Sequence, residues 1–422
     1  MNQIEANWAH NYNDDCHPNF FDNLSLSRHR WYDFKEGFSS SFVKRAIMDS
    51  CKKHKHPLSI LDPFAGSGTT PLTALESNCN ATAIEVNPFM SFIGKTKCLP
   101  QRHSKEHLTC ELQEVLETKP YEMDSPLETI STFSSAKKND KWLFNKSVLR
   151  GFEALHHHIV KINAEDIRMF FLLALCSSAM QCCNAKKDGK CLRYKKSWQN
   201  LNYSSQTLRQ YFEASCKMMI DDIEQTPLRD GKCFFVNEDC RTAIKDFDDE
   251  TFDLIVFSPP YLNSFDYSDI YRPELFLAKY VQDNAGLREI RKKTLRSHVQ
   301  YNWENHQTPE SAWVNSVVSK ISDASKKLWN LHIPQVIGSY FYDMEKILSE
   351  TYRTAKQNSH LWFVVSTSAY ADVEVPVDLI LADIASKQGW RLNTVNALRK
   401  IRSSSQSSSN IQLRESLVIC QK

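Results

Sequence analysis

Leu58-Ser59-Ile60-Leu61-Asp62-Pro63-Phe64-Ala65-Gly66-Ser67-Gly68-Thr69-Thr70 is the stretch on which the reading of the fold turns. Its apolar start, Leu58 to Leu61, has the length of a buried strand. Two glycines then make a tight turn, and a helix is expected from about Thr69. A second apolar run, Ala81 to Val86, carries Glu85 near its end and is followed by Asn87-Pro88. Strand, helix and strand in this span read as a βαβ unit.

Outward from that unit the pattern changes. From Cys98 to Gly231 the chain reads as helical, with a strongly apolar run at Ile167–Met180 and helical spacing over Ser205–Ile223. Strands are expected again at Cys233–Val236 and at Phe252–Phe257, the second ending in Ser258-Pro259-Pro260-Tyr261. Tyr271–Val281 reads as a helix, and a polar, basic stretch runs on to Thr308. Ala312–Lys356 is largely helical with a break expected near Pro334. His360–Ser366 reads as a buried strand, Val377–Gln388 as a helix closed by Gly389, and Trp390–Ala397 and Leu413–Cys420 as the last strands. The serine-rich Ser403–Ser409 between them is expected to be a mobile loop. Strands separated by helices predict an α/β doubly wound sheet. A mostly helical insertion, residues 98–231, divides its catalytic part into 1–97 and 232–422.

At 422 residues, the chain is long enough for such a core plus an insertion. It is 41% hydrophobic and 24% charged, as in ordinary soluble proteins. No apolar run is long enough to span a membrane and the first residues lack a signal-peptide pattern, so a cytoplasmic protein is expected. The 13 cysteines include no Cys-x-x-Cys pair, and His156, His157 and His158 would point in different directions on a helix. No metal site is expected, and the cysteines read as reduced, largely buried thiols. A net charge of +2 neither requires nor excludes a nucleic-acid partner.

Two segments carry candidate chemistry. In the first, Gly66 and Gly68 let a ligand approach the backbone at a strand end. A phosphate-binding loop would need Gly-Lys-Ser/Thr, and a dinucleotide fingerprint a third glycine where Pro71 stands, so neither fits. Glu85 ends the next strand, where an acid can accept hydrogen bonds from ribose hydroxyls. The plainer alternative is an acid that complements a helix N-terminus. In the second, Ser258-Pro259-Pro260-Tyr261, two prolines remove amide donors and leave carbonyl and hydroxyl acceptors. Such a site suits a substrate that donates hydrogen bonds, such as an amine, and Tyr261 offers a face to a flat base. Alone, Pro-Pro-Tyr is more often a plain turn or a ligand for another domain. Both segments sit at strand carboxyl ends, where doubly wound sheets bind ligands.

The pair resembles the DNA amino-methyltransferases, the family that modifies cytosine N4 and adenine N6. Asp62 to Thr70 is similar to the family's cofactor motif and Ser258 to Tyr261 to its catalytic tetrapeptide, whose Ser-Pro-Pro-Tyr form is the one more typical of cytosine-N4 enzymes. Phe34 to Ser39, with Phe38, resembles the segment covering the cofactor's methionine end, and Asp239 stands where the family contacts the cofactor adenine. The resemblance covers roughly Trp31 to Pro100 and Cys233 to Cys420. It implies a Rossmann-like class I methyltransferase fold of about seven strands with an antiparallel last strand. It also implies S-adenosyl-L-methionine as cofactor, held by Phe38, Asp62, Phe64, Gly66, Gly68, Thr69, Thr70, Glu85, Asp239 and Ser258. Catalysis falls to Ser258, Pro259, Pro260 and Tyr261. The order of motifs, cofactor first, is the reverse of that in many cytosine-N4 enzymes.

The expected reaction is site-specific methylation of cytosine N4 in double-stranded DNA, on a base flipped out of the helix. Adenine N6, an RNA base amine or a protein amide are alternative acceptors, and a cognate restriction endonuclease on a separate chain fits the same reading. Basic residues beside aromatics suggest phosphate contacts at Lys186, Lys187, Lys190, Arg193 and Lys195, and again at Arg291, Lys292 and Lys293. A third basic group is Arg399, Lys400 and Arg402. Solvated charged faces are the competing explanation.

Overall fold

The computed structural model describes residues 4–9, 20–34, 36–51, 56–130, 132–134, 141–188, 191–228, 231–262, 266–303, 305–401 and 411–422. In chain order its strands are β1 (Asn7–Trp8), β2 (Ser59–Asp62), β3 (Asn80–Ile84), β4 (Ala185–Asp188), β5 (Cys191–Tyr194) and β6 (Cys233–Val236). They continue with β7 (Phe252–Phe257), β8 (Ala355–Ser366), β9 (Ser368–Tyr370), β10 (Val373–Val375), β11 (Arg391–Ile401) and β12 (Leu413–Gln421). Eight form one sheet in the order β1-β11-β12-β8-β7-β2-β3-β6, and β4–β5 and β9–β10 are separate antiparallel pairs.

The sheet has the expected doubly wound form. β8, β7, β2, β3 and β6 run parallel. β12 lies antiparallel between β8 and β11, as expected of Leu413–Cys420. The eighth strand is the two-residue β1, which extends the β11 edge and has no apolar signature to betray it. β7 explains why the core forms here. All six residues of Phe252–Phe257 are buried. Leu254 and Val256 pack with Phe42, Ile47 and Trp362 on one face. Ile255 and Phe257 pack with Ile337, Phe341 and Phe363 on the other. A strand covered on both faces reads as an unbroken apolar run.

The expected break near Pro334 is the start of the helix Ile333–Thr354, with Pro334 in its first turn where the missing N–H costs nothing. The insertion is built on the helices Lys105–Glu117, Lys146–Ile159, Glu165–Gln181 and Ser205–Gln225. Glu165–Gln181 is apolar around most of its circumference and lies in the middle of the bundle. The antiparallel pair β4–β5 is the strand element within this mostly helical segment. Packing does not stop at residue 98. The insertion shares one core with Trp31, Phe34, Phe89, Met90, Tyr271 and Phe276. Asp222, fully buried on Ser205–Gln225, accepts from Arg28 N at 3.1 Å, Arg30 Nε at 3.0 Å and Trp31 Nε1 at 2.9 Å, tying the N-terminal segment down. Residues 403–409, expected as a mobile loop, lie outside the described residues. Among the described residues, no helix is long and apolar enough to cross a membrane.

Candidate active site

The strand order reverses between β2 and β7, and a cavity of about 380 Å³ opens at their carboxyl ends. Because β2 and β7 are hydrogen-bonded neighbours, the loops leaving Asp62 and Phe257 must lie side by side. Gly66, Glu85, Ser258 and Tyr261 all line this one space, as do Phe38, Phe64, Thr69 and Asp239.

Gly66 turns with φ 50°, and its N–H donates to Glu85 Oε2 at 2.8 Å. Asn87 N–H donates to Oε1, also at 2.8 Å. Each carboxylate oxygen therefore keeps acceptor capacity for a ligand. Burial pushes the Glu85 carboxyl up to about 7, against the pull of the two N–H groups. The Phe34 ring lies so close over Gly66 that a Cβ there would meet it at 2.8 Å. Asp239 caps the helix Cys240–Ala243 and pairs with Arg241, 2.7 Å from its Oδ2, so its carboxylate comes to the cavity already partnered.

Asp62, Gly68 and Thr70 are buried beside the cavity without lining it. Asp62 accepts from Phe64 N–H at 2.9 Å and shapes the turn, and burial raises its carboxyl to about 7. Gly68 has φ 84°, and a Cβ on it would sit 2.6 Å from Gly94 Cα. Its hydrogen is what lets two helices touch.

At the second loop, Ser258 Oγ donates to the Val364 carbonyl at 3.0 Å, leaving its lone pairs to accept. Tyr261 donates its hydroxyl to Glu415 Oε1 at 2.8 Å, and Arg399 Nε donates to Glu415 Oε2 at 2.7 Å. Burial and the Glu415 carboxylate hold the Tyr261 phenol well above its ordinary range, so it stays protonated. Arg399 and Glu415 also line the cavity, as do Tyr267, Tyr271 and His298. Sequence reasoning gives none of these five a place in the pocket. The one signal was Glu415, a charge entering the otherwise apolar strand Ser416–Cys420.

The basic residues divide by environment. Lys187 points inward, with Nζ 2.5 Å from the fully buried Glu274 and 3.9 Å above the Tyr271 ring. Tyr271 in turn packs on Phe34 at 5.7 Å and donates its hydroxyl to Glu36. Arg291 is bonded to Asp266 at 2.5 Å, and Arg296, from the same basic stretch, is buried against Asp343. Those three cations are committed within the protein. Lys195 is half-buried and donates to the Gln181 carbonyl at 3.0 Å. Lys186, Arg193, Lys292 and Lys293 are exposed, and Lys293 pairs with Glu238 at the cavity rim. Lys190 and Arg402 lie outside the described residues. Among the described residues, no group of three or more His, Cys, Asp or Glu side chains is placed to hold a metal.

No family model matches the chain. It is 26% identical over 455 residues to Type II methyltransferase M.BsoBI of Geobacillus stearothermophilus, covering 95% of this chain and 86% of that one. It is likewise 26% identical over 413 residues to Type II methyltransferase M.AvaI of Nostoc sp., covering 89% and 82%. Along nearly its whole length, this chain is similar to Type II methyltransferases. A third relative, Type II methyltransferase M.MvaI of Kocuria varians, is 22% identical over 346 residues, covering 78% and 74%. Coverage of 95% extends through most of the insertion, where the sequence alone showed no familiar feature. Solved structures superpose loosely. A SAM-dependent methyltransferase of Methanosarcina mazei matches at 9% identity and TM-score 0.30, covering 89% of this chain and 96% of that one. The rRNA methyltransferase AviRa of Streptomyces viridochromogenes matches at 10% and TM-score 0.30, covering 95% and 92%. At that level they carry no argument.

Proposed function

We propose that this protein is a site-specific DNA methyltransferase that uses S-adenosyl-L-methionine and delivers the methyl group to the exocyclic amine of cytosine, N4. The observation that carries the reading is the meeting of Gly66 and Glu85 with Ser258 and Tyr261 around one cavity. The similarity to Type II methyltransferases supports the same reaction class.

The cavity fits the cofactor by its donor set. The Glu85 oxygens, each with one backbone N–H, retain lone pairs for two ribose hydroxyls. Phe34, Phe38 and Phe64 supply apolar wall. Bound there, the cofactor would supply an electrophilic methyl group on a sulfonium. The chain's part is to present the nucleophile. The cytosine amine is a poor one because its lone pair is delocalised into the ring. Ser258 Oγ, its own proton given to Val364, would accept one amine hydrogen and the Pro259 carbonyl the other. The nitrogen would thereby be drawn toward sp³ and its lone pair freed for attack, and the amine would shed one of its two protons to solvent once methylated. Positioning and electrostatics of this kind are worth ~7–11 kcal/mol for well-oriented reactants. The base reaches the pocket by leaving the duplex stack, and Tyr261 would stack on it. Lys186, Arg193, Lys292 and Lys293 are the exposed cations proposed to meet phosphates.

The deciding experiment is expression in a host without DNA methylation, followed by nucleoside mass spectrometry and long-read sequencing. N4-methylcytosine in one sequence context is expected. N6-methyladenine would move the target to adenine. Unmodified DNA, with methyl transfer to RNA or protein instead, would end the reading.

A further inference from the structure

The carboxylate of Glu415 has no part in the chemistry proposed above, yet it is nearly fully buried beside the cavity, with a side chain 4% exposed. Burying a charge is costly unless it is paired and hydrogen-bonded. Here one partner comes from the neighbouring strand β11 and the other from the second loop. Glu415 stands directly across from Arg399 in the β11–β12 ladder, next to an irregularity in register between Ala397 and Arg399. Arg399 closes on it through Nε at 2.7 Å and Nη2 at 3.2 Å. The remaining acceptor capacity takes the Tyr261 hydroxyl at 2.8 Å. The antiparallel end of the sheet is thus bolted to the Ser258–Tyr261 loop, which the parallel strand β7 delivers.

We propose that Glu415, fixed by Arg399, is a positioning residue for the target base: it locks the Tyr261 ring at the angle at which a flipped base stacks beside Ser258. The inference rests on the proposed function. A tyrosine anchored only at its Cβ end is free to swing about χ1 and χ2. Bonding its far end to a carboxylate that is itself gripped by a guanidinium removes that freedom before substrate arrives. Misplacement by about 1 Å away from the chemistry can cost on the order of a hundredfold in rate.

The test is a double-mutant cycle with Tyr261→Phe, Glu415→Gln and the two together. Unmethylated genomic DNA and labelled S-adenosylmethionine serve as substrates, under single-turnover conditions. Both singles keep side-chain volume, and chemical denaturation checks that each variant is folded before rates are compared. Each is expected to slow transfer by about ten- to a hundredfold, with the cofactor Kd within about twofold of wild type. The double variant should be no slower than the slower single, because both break one link. Glu415→Gln at the wild-type rate, losses that multiply in the double variant, or loss of cofactor binding would each overturn the inference. A wild-type protein that binds cofactor but methylates no DNA would overturn the proposed function itself, and the inference with it.

Discussion

Glu85→Gln tests the cofactor half of the cavity, and its effect can be worked out from two hydrogen bonds. Glu85 Oε2 takes Gly66 N–H and Oε1 takes Asn87 N–H, both at 2.8 Å. A glutamine has one oxygen, so its NH₂ must face one of those donors. An unsatisfied buried donor costs ~1–3 kcal/mol, and a ligand hydroxyl donating to a charged acceptor is worth ~1.5–3 kcal/mol. Losing one such ligand bond weakens cofactor affinity by about ten- to a hundredfold. The wild type adds a pH signature. Burial raises the carboxyl from 4.5 to about 7, so the folded protein holds a proton there between those values that the unfolded chain has lost. This group's contribution to cofactor-free stability therefore falls as pH rises through that window. Ligand hydroxyls need the ionised form, so affinity moves the other way. From pH 8 to pH 6 the wild-type Kd should rise, and by more than that of Glu85→Gln, in which Asp62 is the remaining carboxyl that titrates in this range. Isothermal titration calorimetry with S-adenosylmethionine across this range measures both. A wild-type Kd independent of pH, together with unchanged affinity in the variant, would refute a hydrogen-bonding role for Glu85.

Other perturbations separate packing from function. Gly68→Ala should destabilise by ~2–4 kcal/mol in chemical denaturation, since φ 84° is left-handed and the added methyl overlaps Gly94 backbone. Lys187→Met leaves the buried Glu274 without its cation and should cost ~3–5 kcal/mol of stability, with the salt slope of DNA binding unchanged. Charge reversal at Lys186 and Arg193 should do the opposite, leaving the melting midpoint in place and flattening the slope of log K against log salt by about 1 for each phosphate that is no longer neutralised. Ser258→Ala should abolish methyl transfer while calorimetric cofactor binding persists; joint loss of both would assign Ser258 to the cofactor instead.

The parallel core was legible because its strands are apolar runs bounded by turn signals, and two of those turns hold the candidate residues. Gly66 and Glu85 could be paired from strand-end geometry alone. The contribution of β11 and β12 could not. Arg399 and Glu415 are separated in sequence by the serine-rich segment, and only antiparallel pairing sets them opposite each other. The basic residues misled for a related reason. Charge density in sequence does not distinguish Lys187, turned inward onto Glu274, from its exposed neighbour Lys186. The shared core between insertion and sheet was equally hidden, since local periodicity marks the apolar face of a helix and not its partner.

That shared core bears on whether the insertion can be exchanged between relatives. If the insertion were a detachable module, one grafted from a relative would leave the sheet and its glycine turn undisturbed. Here the hairpin strand β4 sends Lys187 over Tyr271, Tyr271 leans on Phe34, and Phe34 roofs the glycine turn. A transplanted insertion would have to bring an equivalent strut, or the ring over the recipient's glycine turn would lose its support.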